Sequence, residues 1–104
     1  MTQPARTEWD ELVEVAVGGQ VTAGSMFGSR GLRTGTKFFA VWWHDQLVLK
    51  LPPERLQELV TEGKARQFEP MAGRPMNGWV VVDPSLDWPF LVDEARGFVE
   101  SQRT

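Results

Sequence analysis

The stretch Lys37-Phe-Phe-Ala-Val-Trp-Trp-His-Asp-Gln-Leu-Val-Leu-Lys-Leu51 decides how this chain folds. Two arms of aromatic and aliphatic residues flank one polar break, His44-Asp45-Gln46, and so read as a β-hairpin. With Asp45 and Gln46 as the turn, Trp42 is expected opposite Leu49 and Ala40 opposite Leu51 on one side. Phe39, Val41 and Trp43 are then expected to share the other side with Val48 and Lys50. Such a ribbon is apolar on both faces. It must be covered on both, or covered on one and used on the other.

Outward from the hairpin, Pro52-Pro53 ends the ribbon and suits a helix start, and the helix is expected from Pro53 to Glu62 with Gly63 as its stop. Leu56, Leu59 and Val60 are its expected buried stripe. Upstream, Thr7-Glu-Trp-Asp10 reads as a capping box, followed by Trp9, Leu12, Val13 and Ala16 at helical spacing and by Gly18-Gly19 as a stop. Val21 to Met26 is expected to be extended, and Ser29 to Gly35 reads as a glycine-punctuated connection into the hairpin. Downstream come a short strand from Ala65 to Met71, a turn-rich loop from Ala72 to Gly78, and the β-branched strand Trp79 to Asp83. A final helix begins near Asp87-Trp88-Pro89 and buries Trp88, Leu91, Val92, Ala95, Phe98 and Val99. The resulting order, α-β-β-β-α-β-β-α, describes an α+β fold in which an antiparallel sheet packs with helices.

The chain of 104 residues is read as a single domain, 1–104, with no linkers or repeats. Five Trp and six Phe with no Tyr place much of the core in a few large side chains. The absence of cysteine removes disulfide and thiolate chemistry and suits a reducing cytoplasm. No apolar run reaches membrane-spanning length and no signal peptide is evident, so a cytoplasmic protein without membrane contact is expected. The net charge of -3 is unevenly spread: residues 1–24 and 79–104 each sum to -3, whereas 25–52 sum to +3. Acidic ends around a basic centre suggest a polarised surface, although the chain as a whole is no electrostatic nucleic-acid binder.

An enzyme is not expected. The single histidine, His44, stands at the hairpin tip without clustered partners, and no triad, paired-carboxylate motif or phosphate loop is present. Asp83, Asp87 and Asp93 are explained by capping and helix-dipole roles, so no metal and no cofactor is expected. Two surfaces stand out instead. Arg30, Arg33 and Lys37, joined in space by Arg66 and Arg74, could present cations to an anion such as a phosphate backbone. Trp42 and Trp43 point to opposite faces, so one of them marks a protein partner surface or homodimer contact unless both faces are covered.

Met26-Phe27-Gly28, the hairpin, and Gly73-Arg74-Pro75-Met76-x-Gly78-Trp79-Val-x-Val-Asp-Pro84 together resemble the TfoX N-terminal domain family, related to YjbR-like domains. The resemblance extends over about residues 8–102. It implies an α-β(3)-α-β(2)-α sandwich, and it brings an association with bacterial competence regulation and a suggestion of DNA binding. Gly24 and Ser25 depart from the basic residue many relatives carry before Met-Phe-Gly, and no residues remain for a second, C-terminal domain. The resemblance therefore points to a regulatory binding domain acting by protein association, with nucleic-acid binding as the alternative. Gly73 and Gly78 relax the loop and Pro75 stiffens it, while Arg74 could reach carboxylates or carbonyls across the sheet. A functional surface is expected where this loop meets Met26-Phe27-Gly28 and the basic stretch.

Overall fold

The computed structural model describes residues 9–14, 18, 21–26, 28–44, 46–70, 73 and 76–102, with Met26 described by its backbone. Thr7 of the capping box, Phe27, Asp45, Met71, Arg74 and Pro75 lie outside the described residues. Helix α1 covers residues 9–14 of this set. Strands β1 (Val21–Met26), β2 (Ser29–Thr34), β3 (Lys37–Trp43) and β4 (Gln46–Lys50) follow, then helix α2 (Pro53–Thr61), strands β5 (Ala65–Gln67) and β6 (Trp79–Val82), and helix α3 (Trp88–Ser101). The strands form one six-stranded antiparallel sheet in the order β1-β2-β3-β4-β6-β5. The α+β architecture read from the sequence is the one observed.

One element is added to that reading. Ser29–Thr34 is a full strand rather than a connection, paired along its length with β1 and β3. Its glycine has a packing purpose: a Cβ on Gly31 would stand 2.9 Å from the Ala40 carbonyl oxygen and 3.0 Å from the Phe38 ring. Gly24, directly opposite on β1, likewise faces the Phe38 ring. The two glycines make a floor on which Phe38 lies, with the Arg33 guanidinium 6.0 Å from the ring centre.

The hairpin has a different turn from the one expected. Trp43 pairs with Gln46, Trp42 with Leu47 and Ala40 with Leu49, so the turn falls between Trp43 and Gln46 and starts at His44. His44 accordingly takes a left-handed φ of +49°, which suits a tight hairpin turn. The register slips by two residues relative to the expectation, and an even slip leaves each side chain on its face. Phe39 is the exception. Leu32 pairs with Ala40 but Arg33 pairs with Phe38, so a bulge inserts Phe39 as an extra residue. Phe39 therefore joins Ala40 beneath the helices, and Phe38 takes the opposite side.

All three described helices contribute to the cluster on one face of the sheet. Trp9 and Leu12 of α1, Leu59 of α2, and Trp88, Leu91, Val92, Ala95 and Val99 of α3 bury against Leu32, Phe39, Ala40, Leu47, Leu49, Val80 and Val82. Trp42 belongs here, stacked on Trp9 at 5.6 Å and edge-on to Trp88 at 6.0 Å; each such aromatic pair contributes about 0.5–1.5 kcal/mol beyond area burial. Asp87 caps α3 by accepting from the Phe90 N–H at 3.2 Å. The α2 stop at Gly63 (φ +74°) is a Schellman arrangement, with the Gly63 N–H on the Val60 carbonyl and the Lys64 N–H on the Leu59 carbonyl. Val60 is exposed rather than buried, because only Leu59, half-buried Leu56 and their turn of this short helix reach the core. Among the described residues, no helix is long and apolar enough to cross a membrane.

The helix-free sheet face and its basic rim

Alternation along the strands sends Gly31, Arg33, Phe38, Val41, Trp43, Val48, Lys50, Trp79, Val81 and Arg66 to the face opposite the helices. A second apolar cluster forms there from Val41, Val48, Phe68, Trp79 and Val81, with half-buried Phe38, Trp43 and Met76 packed against it. It is roofed by chain rather than by helix. The Phe68 N–H donates to the Trp79 carbonyl, and the Met76 N–H donates to the Phe68 carbonyl at 2.8 Å, which brings Phe68 and Met76 over this side. The Trp79 N–H closes a turn on the Met76 carbonyl, and Gly78 supplies its φ of +89°. Trp43 meets Phe68 edge-on at 5.5 Å and the His44 ring at 4.7 Å. Neither Trp42 nor Trp43 is fully exposed: both are half-buried, one on each face.

Charge divides with the architecture. The six strands carry Arg30, Arg33, Lys37, Lys50 and Arg66 and no acidic residue. The described helices carry eight carboxylates, among them Asp10, Glu11, Glu14 and Glu94, against Arg55 and Arg96. The molecule thus has an acidic helical side and a basic sheet. The basic residues do not gather into one site, however. Cross-strand pairing with Trp42 and Thr34 places Arg30 and Lys37 on the helical side by register, and Arg33 on the opposite one. Arg66 shares the helix-free face with Arg33 but lies four strands away, roughly 19 Å at sheet spacing.

The sequence motifs also separate. The β1–β2 turn, with Gly28 at φ +74°, lies at the same end of the strands as His44. Gly78 and Trp79 lie at the other end, beside Lys50 and Leu51, with the Leu51 N–H donating to the Gly78 carbonyl at 3.2 Å. Of the expected meeting, the described parts lie apart: Gly28 and the Gly78–Trp79 turn are separated by about the length of β2, roughly 20 Å. Of the basic stretch, Lys37 is the part that reaches the loop. There, Lys37, Phe38, Lys50, Met76 and Trp79 line a cleft of about 320 Å³ that closes against the end of α3. Lys50 does not stand out in the sequence as a site residue. Its one signal there is a lone cation ending an apolar strand, one residue from the Pro-Pro stop.

The three aspartates of the C-terminal part have structural partners. The Ser85 hydroxyl and N–H hold the Asp83 carboxyl below the usual carboxylate range, with the backbone bond at 2.8 Å. The Asp83 carbonyl accepts from the Trp88 indole N–H at 3.0 Å, which ties this turn to the start of α3. Asp87 is the α3 cap and Asp93 pairs with Arg96 at 2.8 Å. Among the described residues, no group of His, Cys, Asp and Glu side chains is placed to hold a metal.

The comparison with curated proteins gives no match. The family model of the TfoX N-terminal domain matches residues 13–88, from the described end of α1 through the whole sheet to the first residue of α3. That span contains the glycine-floored strand pair, the bulged hairpin and the Gly78-Trp79 turn. The chain belongs to the TfoX N-terminal domain family.

Proposed function

We propose that this TfoX N-terminal domain is a non-enzymatic binding domain that acts by association with a protein partner, docked on its helix-free sheet face. The observation that carries this reading is the composition of that face. Above a buried base of Val41, Val48 and Phe68, the half-buried rings of Phe38 and Trp43 reach the surface and are rimmed by Arg33 on one side and Arg66 on the other. An apolar centre within a polar, charged rim is the anatomy of a protein interface. The rim selects a partner with an apolar segment flanked by carboxylates, and a regulatory role follows from reversible association of this kind.

A nucleic-acid reading is favoured by the five basic and no acidic residues of the strands. Three features weigh against it. The cations divide between two faces, and the aromatic rings of Trp43 and Phe38 are engaged by Phe68 and by the Gly24–Gly31 floor. The helical side is strongly acidic and repels phosphates.

The test measures binding of a fluorescent peptide alternating Leu with Glu, beside a DNA duplex of equal net charge. Peptide binding that falls about tenfold or more with Arg33→Glu plus Arg66→Glu, and again with Trp43→Ala, supports the proposal. Duplex binding that weakens steeply with salt, with no peptide binding, replaces it with the nucleic-acid reading. Self-association in light scattering that Arg33→Glu abolishes identifies the partner as a second copy.

A further inference from the structure

The cleft at the Lys37–Lys50 end of the sheet has a composition unlike the rest of the surface. Its walls are the aromatic and thioether groups of Phe38, Trp79 and Met76, and its charged groups are two ammonium side chains. Neither lysine forms an ion pair with any described residue. The carboxylate in the last turn of α3, Glu100, accepts the hydroxyl of buried Thr34 at 2.7 Å. Lys50 is held at the cleft by its backbone, since β4 pairs it with Trp79, and its Cε stands 3.9 Å from where a Gly78 Cβ would be. Lys50 thus runs alongside position 78 at ordinary van der Waals distance, and glycine stands there because the turn needs its φ of +89°.

We infer that this cleft binds a small organic anion, with a carboxylate, sulfonate or phosphate held between Lys37 and Lys50 and a flat apolar body against Trp79 and Met76. The volume of about 320 Å³ suits a ligand of this size, at the small end of natural ligand sites of roughly 300–1,000 Å³. Thr36 and Gln102 add a hydroxyl and an amide that donate to the same acid group. The opposing field comes from the C-terminal end of α3, equivalent to about half a negative charge, and from the Glu100 carboxylate of its last turn. Two full positive charges outweigh it. The cleft lies at the strand ends beside α3 and shares Phe38 with the proposed docking face, but the two lysines that carry the inference lie outside that face's apolar centre.

The experiment titrates the full chain with naphthalene-1-sulfonate by calorimetry, against naphthalene-1-methanol as the neutral analogue and inorganic sulfate as the bare anion. The sulfonate is expected to bind saturably, with both controls weaker by about tenfold or more, the margin of a lost charge-assisted contact. Lys37→Gln and Lys50→Gln are each expected to weaken it, Lys50→Arg to restore most of the affinity, and Lys64→Gln, in a cleft at the opposite end of the sheet, to leave it unchanged. Far-UV circular dichroism confirms that the variants remain folded. Equal binding of the alcohol, an affinity indifferent to both lysine changes, or no saturation would overturn the inference.

Discussion

The two faces of the sheet are built from equally apolar strands but finished in different ways. The helical face carries α1, α2 and α3, and most of its large side chains are fully buried. The opposite face is finished by the chain between β5 and β6, and leaves Phe38, Trp43 and Met76 half-buried beside three cations. The difference shows where stability and recognition reside. A face closed by helices spends its apolar area on the fold, whereas a face closed by a loop keeps part of that area for a partner. Neighbouring Phe38 and Phe39 give the most direct comparison: one ring lies on each face, and the bulge decides which.

Phe39→Ala is expected to show the largest effect. Its ring is wholly buried, so truncation leaves a cavity costing about 3–5 kcal/mol. Phe38→Ala removes a ring that is already half in water, and its cost is expected to be less than half as large. Urea unfolding of the two variants measures both. Equal losses would break the comparison and show that the helix-free face contributes as much to stability as the other.

The same pair shows what was legible in the residues. The faces of Trp42, Val41 and Val48 followed from alternation alone and survived a misplaced turn, because a two-residue slip conserves side-chain direction. A bulge is an odd insertion, and no residue type around Phe39 announces it. Strand β2 is hidden in the sequence because Gly31 looks like punctuation; its role depends on Phe38 and the Ala40 carbonyl, which only the folded sheet brings near. The α3 stripe was readable except that Phe98 is half-buried rather than buried, since a 14-residue helix repeats its pattern several times. The site was less readable than the fold. Basic residues close in sequence, such as Lys37 and Arg33, alternate between faces, while Lys37 and Lys50 meet only through the ends of paired strands.

Gly31→Ala tests the floor of the helix-free face. A methyl group there meets a backbone carbonyl and an aromatic ring inside van der Waals contact, and the strain is expected to cost about 1–3 kcal/mol. Gly24→Ala approaches only the far edge of the ring, at 3.2 Å, and should cost less. If Gly31→Ala instead stabilised the protein, as an Ala usually does in a strand interior, Phe38 would not lie where described.

On the helical face, Thr34 is the one buried polar residue described, and its hydroxyl joins β2 to the last turn of α3 through Glu100. Thr34→Val keeps the shape and removes the donor. Because Glu100 lies near water and can rehydrate, the expected loss is about 1 kcal/mol, at the low end for a bond to a charged group. A thermal melt near neutral pH reads it, and an unchanged melting temperature would show that the bond adds nothing to stability.

The smallest effect is expected at the exposed turn that carries β6 into α3. Ser85 lowers the Asp83 carboxyl in the folded chain, first through its hydroxyl and then through its N–H. A carboxyl lowered on folding binds its proton less readily in the native than in the unfolded state. Its contribution to stability is therefore complete above the ordinary carboxylate range and fades as pH falls through the folded value. Ser85→Ala removes the hydroxyl and leaves the N–H, so the acid side of the stability profile should become slightly shallower while the neutral side barely changes. Nuclear magnetic resonance titration of the Asp83 carboxyl carbon supplies the direct measurement, and the carboxyl should titrate at higher pH in the variant. An unchanged titration would assign the lowering to the backbone N–H alone. The turn would then act through its peptide geometry, which the Trp88 indole N–H also holds by donating to the Asp83 carbonyl.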